Sequence, residues 1–163
     1  MPAHESTTPP SDFDFTFGSR RVYHRRLNAR LYGRTEWTVF EAHTTTRKIL
    51  QGFGNVEDNR MRFPDGDVRA AALRSYDPTT RSWSISWLNG QLPHQLDVPV
   101  VGGFTNGVGQ FVANDVLDGR PIVIRFLWYG NAGRNPTWEQ AFSDDAGATW
   151  ETNWTMEFAR ADG

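Results

Sequence analysis

Hydrophobic and polar residues alternate along most of this chain with the two-residue period of a β-strand. In the segment 82–87, Trp83, Ile85 and Trp87 alternate with three serines, and the segment 121–129 repeats the pattern with larger residues. Because every second side chain of a strand lies on the same face, each segment predicts a strand with one buried face. No segment shows the longer period of an extended amphipathic helix.

Turn signals separate these segments from one another. Asp77-Pro78 follows one segment, while Asn106-Gly107 and Asp118-Gly119 stand between others. An Asn-Gly or Asp-Gly pair between two β-like segments is a strong hairpin signal. The sequence therefore predicts an all-β fold, an antiparallel up-and-down β-barrel of about nine or ten strands, because closure removes the exposed edges of a sheet. A sandwich of two sheets is the alternative.

The last third of the chain predicts a hairpin with a specific turn motif. Residues 143–150 match the pattern Ser-x-Asp-x-Gly-x-Thr-Trp, the Asp box of sialidases and other carbohydrate-active propellers. The pattern occurs once, and a chain of 163 residues is too short for a propeller of four-stranded blades. We therefore expect a staple for one hairpin, and not a glycosidase.

Alternation around this turn assigns the side chains of the last two strands to faces. Trp150, Trp154 and Phe158 fall on one face, which we expect to be the inner one. By the same alternation, we expect three carboxylates to point to solvent: Glu139, Glu151 and Glu157.

Length and composition indicate one domain with a sizeable core. We expect a disordered N-terminal arm over residues 1–12, a single barrel domain over residues 13–160 and a tail over residues 161–163. Aromatic residues make up 13% of the chain and hydrophobic residues only 38%. Many aromatic and few aliphatic residues favour alternating strands over a helical bundle.

Charge and cysteine content exclude several classes of function. The net charge is −2 with acidic and basic residues interspersed, which predicts no nucleic-acid partner and no anionic membrane partner. The chain has no cysteine, so disulfides and thiolate zinc sites are excluded. No apolar run reaches the roughly 18 residues of a transmembrane helix, and residues 1–11 lack the features of a secretory signal. The sequence therefore predicts a cytoplasmic protein.

Several segments between Phe13 and Phe158 resemble those of known proteins. They are Phe13-Asp14-Phe15, Val22-x-His24-Arg25-Arg26-Leu27, Gly52-Phe53-Gly54-Asn55-Val56-Glu57-Asp58-Asn59, Leu73-Arg74-Ser75-Tyr76-Asp77-Pro78, Trp87-Leu88-x-Gly90, Leu96-Asp97-x-Pro99-Val100-Val101-Gly102, and Trp138 to Trp154 around the last turn. Together they resemble a bacterial family of small proteins of unknown function with a lipocalin-like (calycin) barrel. The resemblance implies the barrel fold, and it implies no settled activity.

The start of the first predicted strand departs from this resemblance. Similar proteins carry Gly-x-Trp there, and the Trp plugs the closed end of the barrel, whereas this chain reads Gly18-Ser19-Arg20. Two expectations follow. Either Arg20 stacks on an aromatic ring and caps that end by a cation–π contact, or that end of the barrel is more loosely packed.

The inner aromatic face is the strongest functional signal in the sequence. In a closed barrel its rings converge on a lumen, which either they fill as a core or a small ligand occupies. We predict binding of a small apolar or aromatic molecule. The candidate ligand-binding residues are Arg26, Asn55, Tyr76, Trp83, Trp87, Phe126, Trp128, Trp138 and Trp154.

His24 is the candidate catalytic residue, because alternation places it on the inner face between Val22 and Arg26. It supports an alternative function, that of an isomerase or cyclase acting on a hydrophobic metabolite, with His24 as general acid or base. A third alternative is a structural or partner-binding domain with a solid core. The histidines lack the close spacing of a zinc site, so the sequence predicts no metal and no cofactor, and it leaves a homodimer open.

Overall fold

A computed structural model describes residues 8–161 of the chain, and ten antiparallel strands make up most of this range. The seven residues before it, which include His4, and the last two residues lie outside it, as do most of the residues predicted to form the N-terminal arm. The strands are β1 (Gly18–Leu27), β2 (Trp37–Ile49), β3 (Gly54–Phe63), β4 (Gly66–Asp77), β5 (Ser82–Asn89), β6 (Val100–Thr105), β7 (Val108–Leu117), β8 (Arg120–Tyr129), β9 (Thr137–Ser143) and β10 (Glu151–Arg160).

The strands form one closed barrel in which each strand pairs with its neighbours in sequence. Pairing of β1 with β10 closes it, in a register that runs from Arg20 opposite Arg160 to Arg26 opposite Trp154. Closure leaves no free sheet edge. The predicted up-and-down barrel of about nine or ten strands is confirmed, in the architecture of a lipocalin-like barrel, and the sandwich is not observed.

Two predicted hairpin turns are present as the sequence indicates. Asn106 and Gly107 join β6 to β7 with φ angles of 52° and 80°, and Asp118 and Gly119 join β7 to β8 with φ angles of 49° and 79°. Positive φ at both central residues is the geometry of a type I′ turn, which matches the twist of antiparallel strands. These short turns fix the register of β6, β7 and β8.

A short segment before β1 packs the closed end of the barrel. The one-turn 3₁₀ helix Asp14–Thr16 follows Phe13, whose ring enters the barrel. The centroid of the Phe13 ring lies 4.9 Å from that of Trp83 and 5.1 Å from that of Phe104. The indole N–H of Trp83 donates a hydrogen bond of 2.9 Å to the carboxylate of Asp12. Aromatic rings delivered by this segment therefore fill the closed end.

Arg20 corrects both expectations for this end. Its guanidinium donates a hydrogen bond of 2.8 Å to the carbonyl oxygen of Phe15, and no aromatic ring in the described range stacks on it. The end is not loosely packed either, because Phe13 and Trp83 are almost fully buried there. Arg20 therefore holds the backbone of the 3₁₀ helix against β1, and phenylalanine rings provide the plug.

A β-bulge in β10 changes the predicted faces of the last strand. The register with β9 shifts between Thr152 and Trp154, so Asn153 is an extra residue and is fully buried. One extra residue reverses the alternation on its N-terminal side. Trp150 therefore lies outside the barrel, with the guanidinium carbon of Arg125 4.3 Å from its ring centroid. The prediction that Trp150 shares the inner face with Trp154 is wrong.

The same bulge changes the environment of Glu151. This residue pairs with Phe142, whose side chain faces inward, and its carboxylate accepts a 2.7 Å hydrogen bond from the N–H of Leu31. Glu151 therefore holds the β1–β2 loop at the rim instead of pointing freely to solvent, as expected from simple alternation.

Side-chain hydrogen bonds close the turn between β9 and β10, as a hairpin staple requires. The carboxylate of Asp145 accepts bonds from the hydroxyl of Ser143 at 2.7 Å and the N–H of Thr149 at 2.8 Å, and also from the hydroxyl of Thr149. The hydroxyl of Ser143 accepts a bond of 2.8 Å from the N–H of Gly147. Hydrogen bonds from Thr149, and then from Ser143, lower the pKa of Asp145 to about 2.

Gly102 provides a test of the tight packing between β6 and β7. A Cβ atom at this position would lie 1.8 Å from the carbonyl oxygen of Gln110, whereas at Gly103 the nearest atom would be 3.9 Å away. We expect Gly102→Ala to lower the free energy of unfolding in urea by about 1–3 kcal/mol through steric overlap. Gly103→Ala is the matched control and should change it by less than about 1 kcal/mol. Equal stabilities of the two variants would contradict the strand pairing described here.

Candidate functional site

A cavity of about 320 Å³ occupies the half of the lumen away from the plugged end. Every strand except β2 contributes at least one residue to its lining, and residues of the loop 90–99 line its mouth. The cavity is lined by several of the ligand-binding residues predicted from the sequence, namely Arg26, Trp87, Phe126, Trp128, Trp138 and Trp154. Alternating inward positions on neighbouring strands bring these side chains together.

The remaining predicted site residues lie elsewhere in the barrel. Trp83 and Tyr76 pack together at the closed end, with ring centroids 5.2 Å apart. Asn55 is buried and accepts a hydrogen bond of 2.8 Å from the guanidinium of Arg74. His24 lies behind Trp154 and is not among the described residues that line the cavity.

The floor of the cavity is a buried ion pair that sequence reasoning missed. Arg74 on β4 and Glu57 on β3 both line the cavity, and the Arg74 guanidinium donates a short hydrogen bond to the Glu57 carboxylate. The Arg74 side chain is only 1% exposed, and its guanidinium carbon lies 5.0 Å from the Phe13 ring centroid and 5.1 Å from that of Trp128. Arg74 thus connects the aromatic plug to the cavity.

A signal for this pair exists in the sequence. Arg74 stands two residues before Tyr76, and Glu57 stands two residues after Asn55, and both Tyr76 and Asn55 are predicted to face the lumen. Both charges therefore occupy inward positions. Burying a single charge is very unfavourable, so two inward charges of opposite sign predict that each pairs with the other.

His24 fixes the position of the Trp154 indole. The N–H of Trp154 donates a 2.9 Å hydrogen bond to Nδ1 of His24, and the imidazole stacks on Phe40 with centroids 4.4 Å apart. Burial, and secondarily the positive charge of Arg26, lowers the pKa of His24 to about 3. The ring is therefore neutral at pH 7, and because Nδ1 accepts the bond, we assign the proton to Nε2. No described residue bonds to that nitrogen.

Charged residues of both signs surround the mouth of the cavity. Arg26 near the end of β1 and Arg30 in the following loop line it from one direction. Asp115 on β7 and Asp97 in the loop 90–99 line it from other parts of the barrel. Burial, and then the negative charge of Asp115, raises the pKa of Asp97.

The loop 90–99 is attached to the barrel beside this mouth. The N–H of Asp97 donates a 2.9 Å hydrogen bond to the carbonyl oxygen of Trp87, and Leu88 forms a β-bridge with Leu96. Leu92 and Val98 line the cavity although about half of each side chain is exposed. The loop therefore adds apolar surface at the entrance.

Residues 8–161 contain neither a metal-binding cluster nor a membrane-spanning helix. No group of three or more histidine, cysteine or acidic side chains in this range is placed to bind a metal ion. No helix in the same range has the length and apolar character needed to span a membrane.

No protein-family model matches the chain, and no curated protein matches it. The resemblance to a bacterial family of unknown function therefore stays a prediction from the sequence. A closed barrel with a cavity is compatible with ligand binding, and the function has to be inferred from the site itself.

The low pKa of His24 predicts a pH dependence of stability. In the unfolded chain the pKa of His24 is near its ordinary value of 6.5, whereas in the folded chain it is about 3. The unfolded state therefore binds more protons between these values, and stability falls as the pH is lowered through this window. Between pH 7 and pH 4 this residue should reduce the free energy of unfolding by about 3 kcal/mol.

Urea unfolding of the wild type and His24→Gln at both pH values measures this contribution. The Gln amide oxygen can still accept the indole N–H, but it does not titrate. We expect the loss of stability at pH 4 to be about 3 kcal/mol smaller in this variant than in the wild type. His43→Gln, at an exposed position on β2, should behave like the wild type. The same pH dependence in all three proteins would show that His24 is not buried as described.

Proposed function

We propose that this barrel binds a small apolar or aromatic molecule in the cavity between Trp87, Phe126 and Trp154. The observation that carries the proposal is a cavity of about 320 Å³ that remains open beside a tightly packed closed end. Protein interiors are normally packed as closely as organic crystals, so a void of this size in a small domain needs a reason. Ligand pockets of proteins begin at roughly this size, about 300 Å³.

Contacts among the aromatic rings support a preformed site. Trp138 lies edge-to-face with Trp154 at a centroid distance of 5.7 Å and with Phe126 at 5.0 Å. Trp87 meets Trp154 edge-to-face at 6.1 Å. Edge-to-face contacts are a favourable aromatic geometry, and the hydrogen bond to His24 fixes the Trp154 ring further. The rings are therefore held as walls, with flat apolar surfaces available to a ligand.

Two alternatives have less support. A solid core formed by the aromatic rings alone leaves the cavity unexplained. The isomerase or cyclase alternative requires His24 to exchange protons with a substrate, but Trp154 stands at its Nδ1 and its pKa of about 3 makes it a weak base at pH 7. No observation favours that alternative. Membership of the bacterial family, a cytoplasmic location and a homodimer stay predictions from the sequence.

Binding of the neutral probe N-phenyl-1-naphthylamine tests the proposed function. The probe has only aromatic rings and one amine, so its fluorescence should rise, and tryptophan emission should fall, when it enters the cavity. We expect saturable binding by the wild type. Trp87→Ala removes one wall of the site and should weaken binding by about tenfold, which corresponds to about 1.4 kcal/mol.

Trp37→Ala is the matched control for this experiment. Trp37 is half-buried, stacks under Arg25 on the outside of the barrel and is not among the described residues that line the cavity. Its replacement should leave the affinity for the probe within about twofold of the wild type, a difference of about 0.4 kcal/mol. Equal weakening in both variants, or no saturable binding by the wild type, would contradict a binding site in the lumen.

A further inference from the structure

Arg26 places a positive charge directly against the aromatic wall of the cavity. Its guanidinium carbon lies 4.7 Å from the ring centroid of Trp154, and the side chain lines the cavity. Arg30, which also lines the cavity, is close enough to help lower the pKa of Arg26. Two guanidinium groups thus stand on the same part of the mouth.

Within residues 8–161, neither arginine has an ion-pair partner. No carboxylate oxygen of the described residues lies within 4.0 Å of their guanidinium nitrogens. Nε of Arg26 is buried and has no hydrogen-bond partner among these residues. Nε of Arg74 on the cavity floor has no such partner either, but Glu57 and Asn55 accept hydrogen bonds from the other two nitrogens of its guanidinium. The positive charge of Arg74 at the floor is therefore neutralised by Glu57, whereas the positive charges of Arg26 and Arg30 at the mouth are available to a ligand.

A partly buried guanidinium without a counter-ion is an anion-binding group. Burial, and then the positive charge of Arg30, lowers the pKa of Arg26 to about 10, so the group is still charged at neutral pH. Guanidinium groups bind carboxylates and similar oxyanions through paired, charge-assisted hydrogen bonds. Such bonds are stronger where water is partly excluded, as it is at the partly buried side chain of Arg26.

We propose that the molecule bound in this cavity carries an anionic group, a carboxylate or a sulfonate, which Arg26 and Arg30 hold at the mouth. This inference rests on the proposed function and narrows its ligand class to aromatic or apolar acids. The apolar part of such a molecule lies between Trp87, Phe126 and Trp138. Its charged end is at the entrance, where it keeps part of its hydration.

The acidic residues of the mouth restrict this class further. Asp97 and Asp115 also line the cavity, and the negative charge of Asp115 acts on Asp97. A second anionic group on the ligand would meet these carboxylates and be repelled. A single acidic group that is bound by the arginines avoids this repulsion. The site therefore fits a monoacid better than a diacid.

Two fluorescent probes that differ by one charged group provide the test. N-phenyl-1-naphthylamine is neutral, and 8-anilinonaphthalene-1-sulfonate has the same aromatic framework with a sulfonate added. For the wild type we expect calorimetric titration to give a dissociation constant about tenfold lower for the sulfonate, since a charge-assisted hydrogen bond contributes that much. Arg26→Gln should reduce this ratio to near one, because it should weaken binding of the sulfonate much more than binding of the neutral probe.

Arg47→Gln is the matched control, because Arg47 is exposed on β2 and is not among the described residues that line the cavity. This variant should keep the tenfold preference for the sulfonate over the neutral probe. If the preference falls equally in Arg26→Gln and Arg47→Gln, the sulfonate responds to the overall positive charge of the protein, and the inference is overturned. Arg30→Gln, expected to reduce the preference in part, serves as the second variant if Arg26→Gln does not fold.

The outcomes for the two proposals are distinct. Equal affinity of the wild type for the two probes would overturn the anionic-ligand inference and leave the proposed function standing. Absence of binding by the neutral probe, together with tight binding of the sulfonate that depends on Arg26, would support the arginine site and remove the apolar cavity as the main source of affinity. Failure of both probes to bind would overturn both proposals.

Discussion

The buried ion pair between Arg74 and Glu57 divides the lumen into two parts with different properties. Its guanidinium carbon lies 5.0 Å from the ring centroid of Phe13 and 5.1 Å from that of Trp128, and the carboxylate of Glu57 and the amide oxygen of Asn55 accept its hydrogen bonds. Removing one partner of such a pair leaves an uncompensated buried charge, at a cost of about 3–5 kcal/mol. The pair therefore fixes how far the aromatic plug extends, and the cavity begins where the plug ends.

Most of the fold was predictable from the sequence, because the signals that specify it are local. Alternation over a few residues and turns such as Asn106-Gly107 are sufficient to indicate strands and hairpins, and consecutive hairpins predict the up-and-down order. The bulge at Asn153 was not predictable in this way, since an extra residue in a strand carries no distinct pattern. The faces predicted for Trp150 and Glu151 were wrong because of this bulge alone.

The site was predictable in part. Side chains whose position depends only on their own strand were predicted, whereas those whose role depends on a residue of another strand were not. Rings such as Trp87 and Trp154 were found because an aromatic residue at an inward position faces the lumen whatever its partner is. The role of Arg74 depends on Glu57 across two strands, and that of His24 depends on Trp154 at the far end of the chain. Alternation indicates which residues point inward, but which inward residues meet depends on strand register, and one sequence does not display the register.

Closure of the barrel has a consequence for how the protein is made. The pairing of β1 with β10 brings together His24 and Trp154, which are 130 positions apart. All the other strand pairings of the barrel join strands that are consecutive in the chain. During synthesis the first nine strands can form hairpins in turn, while β1 keeps one edge unpaired until β10 leaves the ribosome. The last strand brings Trp154 to both His24 and Arg26. A nascent chain interrupted before β10 would therefore expose an unpaired strand edge to which other chains can add, and it would lack part of the proposed ligand site.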